Sequence, residues 1–266
     1  MDVLLTGALG TVGTAVTDHL DHEFTLLDRR EGGHVVADVA DYPAIRPAFD
    51  GQDAVVHLAG YPATDASWSE ALTHNVVGTH NVLEAAADAG VESVVFASSN
   101  HVVGGYEQEF APDLYYGDVD LTVDHTDPIR PDSHYGASKA CGEAFGRQYV
   151  EREASPDRFY ALRIGSVRDP EYDHPYGDAE RLVDDGEADS DSRAYEEVAA
   201  RMHALWQSRR DLAHLVDCCL RDDSAAFEVF YGVSANEHRW LDIEHAREVV
   251  GYDPRDGAEW SDRGAS

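Results

Sequence analysis

The segment that most constrains the fold is Thr6-Gly7-x-x-Gly10-x-x-Gly13. It follows the apolar run VLLT (3–6) and precedes TAVTDHL, whose apolar residues recur with a helical rhythm. Glycines at this spacing permit a tight turn, close approach to a pyrophosphate, and close helix–strand packing. The helix N-terminus behind them turns the positive end of its dipole toward an anion. Glycine-rich turns also occur for structural reasons alone, so the motif needs context. Asp28 provides it by ending the next apolar run, FTLLD (24–28). A carboxylate there accepts both ribose hydroxyls of NAD and repels a 2′-phosphate. Arg29 and Arg30 keep NADP open, either as partners of a 2′-phosphate or as plain surface charges. Asp38 and Val39 fall where an adenine would lie.

Further apolar runs read as strands: VVAD (35–38), AVVHLAG (54–60), SVVFASS (93–99), FYALRIGS (159–166) and AFEVFYGVS (226–234). Residues 43–49, 75–90, 134–153 and 201–221 read as helices, the third with Asp132 or Ser133 as cap, and a short helix follows near the end. Strands alternating with helices predict an α/β fold, a doubly wound parallel sheet of Rossmann type covered on both faces. Ligands of such sheets lie beyond the carboxyl ends of the strands. Residues 1–166 are expected to form the dinucleotide-binding domain with the catalytic residues. Residues 167–266 are expected to form a small substrate-binding part. Its first stretch, about 167–200, is acidic and rich in turn residues. That is too long for an ordinary connection, so it is either a substrate-covering lid or a disordered, salt-solvating insert.

Composition narrows the partners. Hydrophobic residues make up 43% and charged residues 27%, enough for a sizeable core. Asp plus Glu is 52 against 20 Lys plus Arg, a formal net charge of −32. Such a surface repels nucleic-acid phosphates and anionic membranes, so neither is an expected partner. No apolar run reaches the length of a membrane span, and MDVLLTGALG lacks the basic start of a signal peptide. Self-repulsion at this charge is screened at molar salt, where the Debye length is roughly 3 Å. Lys139 is the only lysine, and all other side-chain cations apart from histidine are arginine. Both traits suggest a salt-loving cytoplasm. Cys218 and Cys219 are adjacent and poor disulfide partners, Cys141 stands alone, and no metal-ligand spacing appears.

The second motif is Tyr135-x-x-x-Lys139. At this spacing both side chains share one helix face, and an ammonium beside a phenol favours the phenolate. Tyr135 is therefore a candidate general base. The helix follows a strand that ends in Ser98-Ser99-Asn100-His101.

Together these residues resemble the short-chain dehydrogenase/reductase superfamily, in its extended, epimerase-like branch. TGALGTVG matches the glycine turn, HLAG (57–60) the fourth strand, NVVGTHNVLEAA the next helix, and YGASK the active-site helix. The resemblance implies that Ser99, Tyr135 and Lys139 are catalytic. It implies a cofactor cleft of Gly7, Leu9, Gly10, Thr11, Val12, Gly13, Asp28, Asp38, Val39, Leu58, Ala59, Gly60, Asn75, Tyr135, Lys139 and Ile164. Dehydratases of this branch place an acidic pair where this chain has Asn100-His101, which argues against dehydration. SSNHVVG, LRIGS, Trp206-x-Ser208 and FYGVSAN (230–236) resemble uronate dehydrogenases and the NAD-dependent glucose-6-phosphate dehydrogenases of salt-loving archaea. That implies oxidation of C1 of a pyranose to a lactone, with Ser99, Asn100, His101, Tyr135, Ser166 and Arg201 around the sugar. Arg201 would meet an anionic group, yet the acidic insert before it suits a neutral aldose as well. Trp206 and Trp260 read as packing residues. The rival reading is a sugar-nucleotide epimerase that retains its NAD. Relatives of this branch often pair, so a homo-oligomer is expected.

Overall fold

The computed structural model describes residues 1–152 and 155–259; Trp260 and the predicted helix end at residue 153 lie outside them. The order is β1 (Asp2–Thr6), α1 (Thr11–His19), β2 (Glu23–Asp28), β3 (Val35–Val36), α2 (Tyr42–Ile45), β4 (Ala54–His57), α3 (Trp68–Glu70), α4 (Gly78–Ala89), β5 (Ser93–Ser99), α5 (Gly104–Phe110), α6 (His134–Glu151), β6 (Arg158–Ile164), α7 (Gly177–Asp184), α8 (Arg193–Leu205), α9 (Arg209–Arg221), β7 (Phe227–Gly232) and α10 (Glu244–Val250). The seven strands run parallel in the order β3-β2-β1-β4-β5-β6-β7. The chain winds outward from β1 to β3, then crosses back to β4. A crevice therefore opens at the carboxyl ends of β1 and β4, where the winding reverses.

Alternation along each strand sends neighbours into opposite layers. Val3 and Leu5 join one core with Val56, Val95, Leu162, Leu212 and Val216. Leu4 joins the other with Val55, Val94, Val82, Leu83, Phe159 and Ala161. Every residue of β4 and β5 is buried, as their unbroken apolar runs require of central parallel strands. β7 and α9 follow residue 166 in the chain yet belong to this same sandwich. β7 pairs with β6, and Arg209 of α9 donates to the Thr11 carbonyl of α1 at 3.0 Å and to Asp18 at 2.7 Å.

Four readings of the sequence need correction. The predicted helix 201–221 is two helices. Between them Ser166 and Trp206 pair as a bridge, and the Ser208 hydroxyl caps α9 by accepting from the Asp211 N–H at 3.1 Å. The predicted helix 75–90 begins earlier, with Ser67 and Glu70 forming a capping box before a π-helical stretch, Ala71–Val77. The run 35–38 pairs only over Val35–Val36, and 43–49 is one α-turn followed by a 3₁₀ turn, Arg46–Phe49. Of the two readings left open for the insert, the folded one holds: α7 and α8 close on a small core of Ala179, Tyr195 and Ala199, with Tyr176, Val183 and Val198 around it. Few apolar residues suffice because they fall on facing helix stripes.

One buried ion pair seats the central helix. Arg163 of β6 donates from Nε and Nη2 to the two carboxylate oxygens of Glu143 on α6, both at 2.9 Å. The Ser98 hydroxyl of β5 donates to the same carboxylate at 2.6 Å, and Arg163 donates to the Tyr231 hydroxyl of β7 at 2.8 Å. Both charges are satisfied, so removing one leaves the other buried and unpaired. Glu143→Ala is expected to destabilise the fold by about 3–5 kcal/mol. Chemical unfolding in molar KCl measures it, and a loss below about 1 kcal/mol would mean that water replaces the carboxylate.

Candidate active site

A cleft of about 770 Å³ runs across the carboxyl ends of β1, β4, β5 and β6. At its floor Gly7 sits at φ +71°, where a Cβ would lie 2.6 Å from the Ala59 nitrogen. Only glycine fits that approach. Gly10 caps α1 and offers its first turn no side-chain acceptor. Those N–H groups are thus open to an anion.

Asp28 ends β2 at the cleft wall. Its carboxylate accepts from the Leu9 N–H at 3.0 Å, the Arg30 N–H at 2.9 Å and Arg30 Nε at 3.1 Å. Burial pushes its pKa up, but the hydrogen bonds from Arg30 and Leu9 outweigh that and hold it below the ordinary carboxylate value. Arg30 is thus directed at the carboxylate, while Arg29 lines the cleft beside it. The glycine cradle, the open helix terminus and the ribose-ready carboxylate fit a dinucleotide.

Ser133 starts α6 by accepting from the Gly136 N–H at 3.1 Å. A Cβ on Gly136 would lie 2.3 Å from the His101 carbonyl, so glycine lets α6 press against the end of β5. This brings Ser99, Tyr135 and Lys139 to one wall. Ser99 lines the cleft with Tyr135 and accepts from the His101 N–H at 3.2 Å. Lys139 Nζ lies 5.7 Å from the Tyr135 ring centroid and 5.0 Å from that of Phe96. Burial lowers Lys139 to about 8. Burial also raises Tyr135; nearby Ser99 opposes the rise and the Asp132 charge adds to it. The sequence pattern suggested that Lys139 alone would lower Tyr135. In the folded protein burial dominates at both groups, lowering Lys139 and raising Tyr135.

Every cofactor and substrate residue expected from the sequence lines this cleft except Asn75. Asn75 lies one layer behind Gly60. It accepts from the Tyr61 N–H at 2.7 Å and donates to the Ser138 hydroxyl at 2.9 Å, tying the loop after β4 to α6. At the other end stand Asn100, His101, Ser166 and Arg201. Asn100 Nδ2 is buried and has no hydrogen-bond partner. His101 Nδ1 pairs with Asp132 at 2.6 Å, and Asp132 also accepts from the Ser133 hydroxyl at 2.7 Å. Burial raises Asp132, but the His101 and Ser133 hydrogen bonds keep it below the usual value. Arg201 Nε donates to Glu107 at 2.6 Å.

Sequence reasoning missed Glu107, Arg168, Asp169 and the role of Asp132. Asp132 was legible only as a possible cap. Glu107 meets Arg201 across 94 positions, and no local pattern announces that contact. Asp169 opens the insert and accepts from the Thr11 hydroxyl at 2.7 Å, fastening it to the glycine turn. Trp206 is buried and donates its indole N–H to Asp173 at 3.2 Å, as a packing residue does.

A doubly wound parallel sheet with this glycine cradle, and Ser, Tyr and Lys on the cleft wall, defines a dinucleotide-dependent α/β class. The chain belongs to the NAD dependent epimerase/dehydratase family, whose pattern matches residues 3–219. It is 38% identical to the NAD-dependent glucose-6-phosphate dehydrogenase of Haloferax volcanii, over 96% of this chain and 94% of that one. It is 35% identical to the L-arabinose 1-dehydrogenase (NAD(P)(+)) of the same organism, over 96% of this chain and 97% of that one. The crystal structure of a glucuronic acid dehydrogenase from Chromohalobacter salexigens superposes with a TM-score of 0.75 at 30% identity, covering 97% of this chain and 85% of that one.

The buried lysine has a measurable signature. Its folded pKa of about 8 lies below the ordinary 10.5, so between those values the folded chain binds fewer protons than the unfolded chain. Below pH 8 the full cost of the buried charge applies; it fades as pH rises to 10.5. Lys139→Met is therefore expected to be more stable than the parent at pH 7 by up to about 3 kcal/mol. Unfolding midpoints of the pair across this pH range measure the gap, which should close in alkali; a constant gap would contradict the burial argument.

Proposed function

We propose that this protein is an NAD-dependent sugar dehydrogenase that oxidises C1 of a pyranose to the lactone. The observation that carries the reading is that Ser99, Tyr135 and Lys139 line one cleft together, with Lys139 buried one helical turn after Tyr135. Bound NAD supplies the hydride acceptor. Gly7, Leu9, Gly10, Thr11, Val12 and Gly13 would hold its pyrophosphate, Asp28 its ribose, and Asp38 and Val39 its adenine side. Leu58, Ala59, Gly60 and Ile164 line the stretch toward the reacting centre. Asn75 acts from behind by holding the Tyr61 loop against α6.

Tyr135, as phenolate, takes the proton of the C1 hydroxyl. Ser99 donates a hydrogen bond to that oxygen and keeps it in reach of the phenolate. The Lys139 ammonium stabilises the phenolate, so the two residues share one proton economy. Asn100 offers an unused donor to a sugar hydroxyl; His101, Ser166 and Arg201 complete the wall. Asp28 favours NAD over NADP, and Arg30 is the group that would have to turn from Asp28 to meet a 2′-phosphate.

The relatives named above support dehydrogenation over epimerisation. A panel of glucose 6-phosphate, glucuronate, galacturonate, arabinose, xylose and glucose with NAD or NADP in molar KCl tests the reading. NADH released in quantities far above the enzyme concentration is expected; an interconverted sugar without free NADH would overturn it. Tyr135→Phe should lower kcat by about 10²–10⁴ while NAD affinity stays within about twofold, since only the proton acceptor is lost. A fully active Phe variant would remove Tyr135 from the mechanism.

The same reading places the enzyme in a salt-loving cytoplasm, as a homo-oligomer. The net charge of −32, the single lysine, and the two Haloferax relatives support the habitat. Three free thiols suit a reducing compartment. Exposed Leu72 and Val77, just before α4, suit contact with a second copy. Melting temperature should rise from low to molar KCl as carboxylate repulsion is screened. A flat or falling curve would refute the habitat.

A further inference from the structure

The cations at the sugar end of the cleft are already matched. Arg168 forks onto Asp178, His101 pairs with Asp132, and Arg201 pairs with Glu107. The Arg201–Glu107 contact joins a partly exposed guanidinium to a nearly buried carboxylate. Glu107 lies buried on α5 and accepts from Arg201 Nε at 2.6 Å and Nη2 at 3.4 Å. The Tyr115 hydroxyl donates to the same carboxylate at 2.5 Å, so the Glu107 charge is held in place from two sides. Glu107 is not in the cleft lining, but Arg201 is. A sugar anion that reached Arg201 would meet a guanidinium whose charge Glu107 already balances. It would also enter beneath an insert that carries twelve carboxylates and three arginines over residues 167–200.

The groups left free at this end are neutral. Asn100 lines the cleft, and its Nδ2 is buried without a hydrogen-bond partner. Its amide suits a hydroxyl, and so do the hydroxyls of Ser99 and Ser166.

We propose that Glu107 sets the substrate class, neutralising Arg201 so that the site takes an uncharged aldose rather than a uronate or a sugar phosphate. This rests on the dehydrogenase reading above. The alternative is that Glu107 merely holds Arg201 in position to grip an anion. The two differ in sign: a positioning Glu107 helps the anionic sugar, whereas a neutralising Glu107 hinders it.

The experiment compares the parent with Glu107→Gln, which keeps the size of the side chain and removes its charge. kcat/KM is measured for glucose, xylose and arabinose, and for glucuronate and glucose 6-phosphate. In parallel, calorimetry measures binding of glucose and of glucuronate to the protein loaded with NADH. The parent is expected to favour the neutral sugars by about tenfold or more, and Glu107→Gln to move the ratio toward the anions by about tenfold, the scale of one removed like-charge contact. Tyr115→Phe keeps both charges and should leave the ratio within about twofold, which separates charge from packing damage. A parent that prefers glucuronate or glucose 6-phosphate overturns the proposal while the dehydrogenase reading stands. So does an unchanged or opposite ratio in Glu107→Gln. If no sugar is oxidised but calorimetry shows the expected preferences, the dehydrogenase reading fails and the Glu107 proposal survives. If neither sugar binds, both fall.

Discussion

The structure depends on a buried carboxylate shared by a helix and three strands. Glu143 holds α6 to β6 through Arg163 and to β5 through Ser98, and Arg163 extends the tie to β7. The apolar layers alone would let α6 slide, because hydrophobic contact is not directional. A bidentate guanidinium–carboxylate pair is directional and fixes a register. That register decides where Tyr135 and Lys139 fall, two turns and one turn before Glu143. It also sets where Tyr135 falls relative to the end of β5, where Ser99 lines the same cleft.

The fold was legible because its signals are local. Continuous apolar runs with a glycine or polar end mark β1, β4 and β5, and the glycine spacing marks the turn into α1. Errors gathered where tertiary pairing overrides local pattern. Residues 201–221 carry an unbroken helical rhythm, yet Trp206 leaves the helix to pair with Ser166, a partner that sequence periodicity does not reveal. The acidic insert was ambiguous for a related reason. Its few apolar residues, Ala179, Tyr195 and Ala199, are too sparse to announce a core but meet once α7 and α8 fold back on each other. The cleft residues were legible as motif positions. Their charge partners were not, because Glu107, Asp132 and Asp178 become partners only through contacts between different elements.

Those partners change what the cleft is electrically. At motif level Arg201 is a partner for an anionic group, His101 is a sugar contact, and Arg168 carries no assigned role. In the folded chain each has a carboxylate within hydrogen-bonding distance. In a molecule of net charge −32 this is the expected economy: cations are scarce, and an unpaired carboxylate in a partly buried place is costly. The insert follows the same rule from the other side. It is fastened to the cofactor turn by the Asp169–Thr11 hydrogen bond, so an acidic surface is held over the sugar end without exposing a free charge to the glycine turn.

Lys139 breaks the rule. It is the only lysine, it is buried, and its contacts are the rings of Phe96 and Tyr135 rather than a carboxylate. Arginine serves everywhere else because its forked, permanently charged head binds carboxylates two-handed and never gives up its proton. Neither property is useful behind Tyr135. The site needs a compact charge small enough to sit beneath a phenol ring and labile enough to respond to it. Burial supplies the lability by bringing the ammonium to about 8 while the neighbouring phenol is pushed upward. In water the two groups would titrate close together, near 10.5 and 10.0; burial drives them apart, so in the free cleft the ammonium gives up its proton before the phenol does. A surface chosen against lysine and a site that requires one are consistent, because the two positions ask for opposite properties of a cation.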